Sequence, residues 1–564
     1  MAKSPIFQSI PVKRPKRTAF DLSHHNKFTC GFGQLVPFLW EPVVPGDQFK
    51  VRTESFVRML ALSAPIMHNV NVTTHYFFVP YRLLWKDWEN FFTEPDAKDK
   101  QGNLYVKPTI KCHTDYFESG KTFGKGSLAD YLNLHVGYQS GSSAVDDIYI
   151  TGISQLPFRA YYRIWYEWYR DQNLQDISFD SIEDYFESID KELNIDDYSE
   201  EPIFVLQNRS FRKDEFTSAL PDPQVGQQVS LPLSGDASLK GEGHMYLKAL
   251  PHDPDAVVPD NFGNGYGIKW MFPDADNESW HANIPGIENS DDNTPVIVNP
   301  TVDNSEVSVD LSNVTAATVE DLRLAVRVQT FLERIARSGR RYIERILGEF
   351  GVRSSDARLQ RSEYLGGGVT PIIVSEVPQT SATGSGQTPQ ANLAGKGVSL
   401  GNKNNFRYNV KEFGIIMGIF SITPEASYQQ GMSQHWFKND MLDYYHPDFA
   451  HLGEQEIKNY QLYAGTEHDQ DVFGYTPRYA EYKYHSSEVH GEFLDTLSFW
   501  HVGRIFEDLP QLNADFVQIP DDNAGDGLNR IFADTSSKQN FVVELFIDEK
   551  AVRPMPKFGV PSLL

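Results

Sequence analysis

A short segment near residue 120 has residue types that are used to bind phosphate. Residues 118–126, ESGKTFGKG, contain Gly120, Lys121 and Thr122 in the order that ends a phosphate-binding loop. That loop also requires a glycine five residues before Gly120, where this sequence has Asp115. Without that glycine the backbone does not wrap a phosphate in the required way, so we expect no nucleotide site here.

A second segment, HSSEVH at 485–490, is similar to the helical zinc motifs of metallopeptidases. Its residues His485, Glu488 and His490 do not have the H-E-x-x-H or H-x-x-E-H spacing. Histidines five positions apart lie on different sides of a helix and on opposite faces of a strand. The chain also has no G-x-S-x-G segment, no Cys/His zinc pattern and no EF-hand loop. We therefore expect no catalytic residues, no metal and no cofactor.

Arginine dominates the segment 321–361, which contains ten Arg, no Lys and five acidic residues. The planar guanidinium binds carboxylate or phosphate with two parallel hydrogen bonds, so its exclusive use favours fixed ion pairs. The sequence is compatible with salt bridges within or between subunits, and it is also compatible with contact with nucleic acid. The arginines predicted to make structural or intersubunit contacts are Arg323, Arg327, Arg334, Arg341, Arg345, Arg353, Arg358 and Arg361.

Both ends of the chain are basic. Residues 1–20 contain five basic residues and no acidic one, and further cations follow position 549. Cationic termini suit contact with phosphates that does not depend on base sequence, although a merely solvated terminus is the alternative. The candidate DNA contacts are Lys3, Lys13, Arg14, Lys16, Arg17, Arg553 and Lys557.

The net charge of −25 is concentrated in one part of the 564-residue chain. Residues 171–320 contain 30 acidic and 7 basic residues, whereas the remaining 414 residues contain 46 and 44. A nearly neutral body therefore carries one acidic segment. Two cysteines, Cys30 and Cys112, do not form a disulfide framework and suit a reducing compartment. We see neither a secretory signal nor an apolar run long enough to span a membrane.

Strand signals outnumber helix signals. β-branched and aromatic runs predict strands at 49–62, 68–80, 371–377, 412–424, 493–502 and 540–552. The proline-punctuated segment 33–51 suits the edge of a sheet. Helical spacing predicts a short helix at 81–92, a buried-face helix at 154–173, and one or two helices over 318–350, depending on Gly339. Many strands between long loops are typical of an antiparallel sandwich or jelly roll with insertions.

These elements suggest five regions. The predicted divisions are a basic N-terminal arm (1–30), the first part of a jelly-roll body (31–174), an acidic variable insertion (175–317), the rest of the body with the arginine-rich helix (318–549) and a basic C-terminal tail (550–564). The insertion alternates acidic clusters and turns with short apolar runs. We expect it to be exposed to water.

Seven segments, in the same order along the chain, resemble the major capsid protein of microviruses, the small icosahedral single-stranded DNA phages, and specifically the gokushovirus type. The segments are FDLSHHNKFTCGFGQLVPFLWEPVVPGDQFKV, RMLALSAPIMHNVNVTTHYFFVPYRLLWKDWENF, LPFRAYYRIWYEWYRDQN, FGVRSSDARLQRSEYLGG, SEVPQTSATG with TPQANLAG, DYYHPDFAHLGEQ and FGYTPRYAEYKYHSSEVHGEF. They span nearly the whole chain apart from 175–317, where the resemblance is weak in detail.

The resemblance implies an eight-stranded antiparallel viral jelly roll with large inter-strand insertions that contain some helices. It also implies a T=1 shell around circular single-stranded DNA, assembled in the bacterial cytoplasm and found in the virion. A long insertion at the position of 175–317 forms three-fold protrusions in that family, proposed to engage a host receptor. The implied viral partners are a small basic DNA-binding protein, a pilot protein and an internal scaffolding protein.

Two other classes compete with a self-assembling structural protein. Aromatic-rich β-sandwiches with abundant carboxylates also bind or hydrolyse carbohydrates, and those enzymes use paired acids. A stand-alone DNA-binding protein is disfavoured because its body would be basic, whereas here only the ends are. The size of the purified protein in solution separates a self-assembling structural protein from a carbohydrate-active one.

Overall fold

Two antiparallel β-sheets that share one hydrophobic core organise most of the chain. The computed structural model describes residues 16–93, 98, 102, 104–118, 120–134, 149–190, 192–196, 201–226, 238–240, 245–250, 297–302, 308–310, 319–338, 341–353, 355–378, 393–520, 527–535 and 538–558. The chain divides into two compact units, one formed by Met1–Val225 with Leu332–Leu564 and the other by Gly226–Phe331.

Strands account for most of the regular structure. In chain order they are β1 (Thr18–Asp21), β2 (His24–Cys30), β3 (Val36–Val43), β4 (Gln48–Met59), β5 (Val70–Pro80), β6 (Thr109–His113), β7 (Tyr149–Ser154), β8 (Leu193–Asn194), β9 (Ser238–Lys240), β10 (Met245–Leu250), β11 (Ile297–Val302), β12 (Ser308–Asp310), β13 (Glu363–Pro371), β14 (Ile373–Pro378), β15 (Leu393–Asn409), β16 (Gly414–Pro424), β17 (Ser427–Tyr428), β18 (Glu454–Lys458), β19 (Val472–Pro477), β20 (Ser487–Glu488) and β21 (Phe541–Arg553).

Helices are fewer, and most are short. They are α1 (Trp88–Thr93), α2 (Leu128–Tyr131), α3 (Leu156–Ile164), α4 (Ile182–Ser188), α5 (Val319–Ser338), α6 (Tyr342–Phe350) and α7 (Ala514–Val517). A π-helical turn, Trp165–Tyr169, continues α3 directly. None of the helices in the described part of the chain is long and apolar enough to cross a membrane.

The first sheet has the strand order β1-β21-β4-β15-β14, and β2 also pairs with β21. Along β4, buried residues such as Val51 and Val57 alternate with exposed ones such as Arg52 and Arg58. β21 alternates in the same way. Because alternate side chains of a strand point to opposite faces, this sheet buries one face and leaves the other open to water.

The second sheet has the order β13-β5-β16-β3, which puts the proline-punctuated β3 at an edge as its sequence predicts. The buried faces of the two sheets meet in one core. Tyr76 of β5 packs against Phe406 of β15 with ring centroids 4.8 Å apart. The Tyr76 hydroxyl also donates a hydrogen bond to Thr53 Oγ1 of β4 at 2.6 Å. The predicted antiparallel β-sandwich of the jelly-roll type, with insertions, is confirmed.

The opposite face of the second sheet is covered by a helical layer. Phe77 of β5 and Met417 of β16 belong to a second buried cluster, together with Phe158 and Tyr161 of α3 and Ile182 of α4. β16 is therefore buried on both faces, which explains its nearly unbroken apolar sequence GIIMGIFSITP. The two sheets thus differ, because the second is buried on both sides and the first on only one.

The second unit contains short strands. In its described part, β10 pairs with β11 and β12 pairs with β9, both antiparallel. The predicted insertion covered residues 175–317, whereas this unit comprises Gly226–Phe331. Residues up to Val225, including the buried Ile182 and Phe204, belong to the first unit.

Most predicted elements are present. Strands predicted at 49–62, 68–80, 371–377, 412–424 and 540–552 correspond to β4, β5, β14, β16 and β21. The helix at 154–173 corresponds to α3 with its π-turn, and 318–350 forms two helices, α5 and α6. The short helix predicted at 81–92 is divided into a 3₁₀ turn, Tyr81–Leu83, and α1.

Two regions differ from expectation. The strand predicted at 493–502 is wrong, because the chain there forms the 3₁₀ turns Gly491–Leu494 and Ser498–Trp500. Its backbone groups bond locally and to side chains, as when Arg530 Nε donates to the Ser498 carbonyl at 2.9 Å. In the predicted basic arm 1–30, residues of β1 and β2 pair with β21 as part of the first sheet.

Candidate nucleic-acid interface

The open face of the first sheet carries a line of three cations across neighbouring strands. Strand register puts Lys50 of β4 directly opposite Lys550 of β21 on one side and Arg407 of β15 on the other. We call Arg407, Lys50 and Lys550 the cationic row. All three residues are exposed. Like charges directly opposite one another destabilise a sheet, so an anion bound across the row would relieve this repulsion.

Within the cationic row, Lys550 pairs with carboxylates of the chain, whereas the other two cations do not. Lys550 Nζ donates to Asp21 Oδ2 at 2.5 Å and lies 3.5 Å from Asp548 Oδ1. Lys50 and Arg407 form no ion pair with any residue that the structure describes. The row therefore keeps two positive charges available for phosphate oxygens.

The acidic residues elsewhere on this face are held by cations of the same face. Glu544 of β21 lies 3.6 Å from Lys27 Nζ, and Glu54 pairs with Arg52 on β4. Arg58 forms no ion pair within the described residues, and its guanidinium lies over the ring of Phe56 at 4.7 Å. The uncompensated charge of the face is positive.

A shallow depression of about 520 Å³ lies farther along the same face. Phe56, Phe546, His25 and Leu400 contribute to its walls, and Leu400 is 74% exposed. The rings of His25 and Phe546 are 4.9 Å apart. A β-bulge in β15 between Gly401 and Asn404 interrupts the regular pairing beside it. Glu54 and Glu544 also line the depression, and the half-buried ring of Phe56 lies under the Arg58 guanidinium. Accessible rings beside a cation form the kind of surface on which single-stranded bases stack.

The predicted DNA contacts at the two ends of the chain converge. β1 pairs antiparallel with β21 so that Thr18 lies opposite Arg553, which brings Lys16 and Arg17 close to the C-terminal residues. Lys16, Arg17 and Lys557 are exposed. The candidates Lys3, Lys13 and Arg14 lie outside the described residues.

Arg553 is bound by carboxylates of its own chain. Its Nε lies 3.0 Å from Asp47 Oδ2, its Nη1 lies 3.2 Å from Glu41 Oε1, and its Nη2 donates to the Pro42 carbonyl at 2.6 Å. Burial raises the pKa of Glu41, and burial together with the Glu41 carboxylate raises the pKa of Glu549 to about 8. Arg553 thus anchors the end of β21 in an acid-rich buried site.

The predicted structural arginines fall into three groups. Arg361 and Arg341 make contacts within the chain, whereas the side chain of Arg345 lies outside the described residues. The remaining five are exposed, and they are Arg323, Arg327, Arg334, Arg353 and Arg358. The arginine-rich segment therefore supplies both internal contacts and individually exposed cations.

Arg361 fixes the segment GVRSSDARLQRSEYLGG against the π-turn that follows α3. Its guanidinium lies 4.2 Å from the ring of Trp168 and 3.5 Å from Asp356 Oδ1, and it donates to the Glu167 carbonyl at 3.2 Å. The Glu167 carboxylate accepts from the backbone N–H of Ser362 at 2.8 Å. Burial lowers the pKa of Arg361, which shows how far this cation is removed from water.

The cysteines and the segment HSSEVH, whose residue types could carry out catalysis or bind a metal, do not form a reactive centre. Burial raises the pKa of the Cys112 thiol to about 12 and raises that of Cys30 further. His490 Nε2 lies 3.1 Å from Glu488 Oε2, both side chains being largely exposed. No group of three or more His, Cys, Asp or Glu residues in the described part of the chain is arranged to hold a metal ion.

Sequence reasoning did not identify the cationic row or the depression. The signal was present in part, because the alternation along β4 and β21 assigns Lys50, Phe56, Phe546 and Lys550 to the face opposite the core. The missing information was the register, which brings Arg407 from more than 350 residues away to the side of Lys50.

Comparison with known proteins identifies relatives across the whole chain. A family model described as capsid protein (F protein) matches residues 8–563. Capsid protein VP1 of Chlamydia phage 1 is 33% identical, over 99% of this chain and 97% of the relative. VP1 of Bdellovibrio phage phiMH2K is 31% identical over 99% and 97%, and VP1 of Spiroplasma virus 4 is 29% identical over 97% and 95%.

Proposed function

The chain belongs to this family of phage capsid proteins, and we propose that its copies assemble into a T=1 icosahedral shell that encloses a circular single-stranded DNA genome. The observation that carries the proposal is the family match over nearly the full length, on a β-sandwich of the jelly-roll type. The role is structural rather than enzymatic, and the protein's place is the virion, after assembly in the cytoplasm of the host bacterium.

Within the shell, the open face of the first sheet is turned toward the genome. The second sheet is covered by its helical layer, whereas the first sheet has exposed cations and half-buried rings on its open face. Phosphates bind the cationic row and the exposed basic termini, and bases stack in the depression around Phe56 and Phe546. Such contacts do not read base sequence, which suits a protein that must cover a whole genome.

The acidic unit Gly226–Phe331 projects outward and forms the three-fold protrusion that attaches to the host. Its sequence is rich in Asp and Glu, and negative charge facing the genome would repel phosphate. The other partners in the particle are a small basic DNA-binding protein, a pilot protein and an internal scaffolding protein. A receptor on the host surface is the external partner.

Assembly is tested with the full-length protein by size-exclusion chromatography and electron microscopy. We expect uniform particles of about 60 copies of the 64.1 kDa chain, on the order of 4 MDa. A protein that stays monomeric at high concentration, with single-stranded DNA and the viral partners present, contradicts the proposal. Limited proteolysis of intact particles tests the orientation: we expect cleavage within 226–331 and protection of residues 1–17. The reverse pattern contradicts it.

DNA contact is tested on the unassembled subunit with a single-stranded oligonucleotide. The double variant Lys50→Gln/Arg407→Gln removes two phosphate contacts, so the slope of log K against log salt should become shallower by about 1.4. The control Lys121→Gln/Lys125→Gln removes two exposed lysines outside this face and should leave the slope unchanged. Equal slopes for the cationic-row variant and the wild type would place the DNA elsewhere.

A further inference from the structure

A group of exposed aromatic side chains lies in the loop-rich part of the first unit between β17 and β20. We call Trp436, Met441, Tyr444, Tyr445, Tyr482 and Tyr484 the aromatic patch. Trp436 is 81% exposed, Met441 is also mostly exposed, and each tyrosine is about half exposed. Trp, Tyr and Met are enriched at the centres of protein interfaces and are uncommon as neighbours on a free surface.

Two rings of the aromatic patch are held in contact with one another and with the chain beneath them. Tyr445 and Tyr482 have ring centroids 6.4 Å apart, and both pack against the buried Tyr479, at 5.0 and 6.2 Å. His435, next to Trp436, packs edge-on against Tyr482 at 5.1 Å. Tyr445 and Tyr482 therefore form one surface over Tyr479, and His435 places the neighbouring Trp436 at the side of Tyr482.

A buried ion pair beneath the patch fixes its rings. Lys438 Nζ lies 2.7 Å from Glu481 Oε1, and both side chains are almost fully buried. The same ammonium group lies 3.9 Å from the centre of the Tyr482 ring and 5.9 Å from that of Tyr444. Gln455 donates to the other Glu481 oxygen at 2.8 Å. Burying a lysine and a glutamate is costly, and here the pair presents two rings to solvent in fixed positions.

The backbone beneath the patch is also in an unusual conformation. Tyr479 has a φ of 62°, in the left-handed region that non-glycine residues seldom adopt. Its N–H donates to Gln455 Oε1 at 2.7 Å, which ties this conformation to the ion pair. Strain of this kind persists where the surrounding structure enforces it, and it is concentrated at functional surfaces.

The size of the patch matches a protein partner. With roughly 200 Å² for each aromatic side chain, the exposed fractions of its five rings amount to about 600 Å². One side of a standard protein interface buries about 800 Å², so a modest rim completes the area needed. A sugar ring stacks on one or two aromatic side chains and would leave most of this surface in water.

The charges at the edge of the patch are complementary to another surface of this chain. Asp440 and Asp443 are exposed beside Met441, and backbone hydrogen bonds from Asn439 and Asp440 hold the pKa of Asp443 below its ordinary value. Arg353 and Arg358 are exposed and form no ion pair with the described residues. Two different complementary surfaces on one chain are what a head-to-tail contact in a closed ring requires.

We propose that the aromatic patch is buried against a second copy of this chain in the assembled particle, where Arg353 and Arg358 of that copy face the acidic edge. The inference rests on the proposed assembly and names the surface that drives one of its contacts. Trp436 is the main anchor, because it is the most exposed ring of the patch and a tryptophan contributes a large contact area.

Assembly of the variant Trp436→Ala tests the proposal. We expect the protein concentration needed for particle formation to rise at least tenfold, because a central interface tryptophan is among the side chains whose removal costs most. The unassembled variant should unfold at the same temperature as the wild type, since the side chain is exposed in the free subunit. The control Met67→Ala truncates a side chain that is 72% exposed outside the patch and should assemble normally.

A photo-crosslinking residue identifies the occupant directly. With Trp436→benzoylphenylalanine, irradiation of particles should join two copies of this chain, and the linked peptide should lie near Arg353 or Arg358. Normal assembly of Trp436→Ala, or crosslinks only to a host glycan or to another viral protein, overturns the inference while leaving the proposed function intact. A wild-type chain that forms no particles overturns both.

Discussion

Glu549 provides a test of how the end of β21 is held in the core. It occupies a core-facing position of that strand, in series with Val543 and Leu545, and it is 1% exposed. Burial raises the pKa of its carboxyl to about 8, the Glu41 carboxylate adds to this effect, and Arg553 opposes it. The folded chain therefore keeps this carboxyl protonated at neutral pH.

The consequence for stability follows from proton linkage. In the unfolded chain Glu549 ionises with a pKa near 4.5, so between pH 4.5 and about 8 the folded state binds the additional proton. Stability from this group is complete below pH 4.5 and is lost as the pH rises through 8. At about 1.4 kcal/mol per pH unit, the loss over the window of about 3.5 units is on the order of 5 kcal/mol.

The substitution Glu549→Gln removes the titrating group and keeps its shape. We expect the variant to match the wild type near pH 4.5 and to exceed its free energy of unfolding by on the order of 5 kcal/mol at pH 9. Urea unfolding of the unassembled subunit from pH 4.5 to pH 9 measures this difference. The control Glu544→Gln makes the same change on the open face of the same strand, where it removes only a surface ion pair and should change the free energy of unfolding by under about 1 kcal/mol. Parallel profiles for Glu549→Gln and the wild type would refute the reasoning.

Three further substitutions test internal contacts, each by urea unfolding of the subunit. Arg361→Ala should lower the free energy of unfolding by about 3 kcal/mol, because it leaves buried carboxylate and aromatic partners without their cation, whereas the exposed Arg358→Ala should cost under about 0.5 kcal/mol. Tyr76→Phe removes a buried hydrogen bond between the two sheets and should cost about 1 kcal/mol. Glu481→Gln leaves the buried Lys438 ammonium unpaired and should cost about 3 kcal/mol, and it should also weaken particle assembly. Losses that are equal for Arg361→Ala and Arg358→Ala, or absent for the other two, would contradict these assignments.

The hydrophobic pattern of the sequence predicted the strands well where burial of one face or of both faces determines that pattern. Buried and exposed residues alternate in β4 and β21 because their sheet has one solvent-exposed face. The apolar run of β16 is continuous because that strand is covered on both sides. The segment 493–502 has the composition of a strand but forms 3₁₀ turns, because its backbone groups bond to nearby backbone groups and to side chains such as Arg530 rather than to a neighbouring strand. Composition does not reveal those partners.

The candidate interface could not be predicted from the sequence alone, because the sequence does not show which strands are neighbours or their register. The basic termini could be recognised from local charge, but the cationic row exists only because long-range register aligns three strands. In the same way, the sequence indicated that arginines were used for fixed pairs. Only the structure shows that Arg361 stacks on Trp168 and that Arg553 binds two carboxylates.

Two adjacent residues of β21 show how one strand serves both the fold and the proposed DNA contact. Lys550 points to the open face and belongs to the cationic row, whereas Glu549 points into the core beside Arg553. Because neighbouring side chains of a strand face opposite ways, the strand places a cation on the face proposed to contact DNA while its other face fixes the strand end. The carboxylates that hold Arg553 therefore help to position the strand that carries Lys550. A basic residue near a terminus is thus not by itself a DNA contact, because Arg553 is already neutralised by its own chain and Lys50 is not.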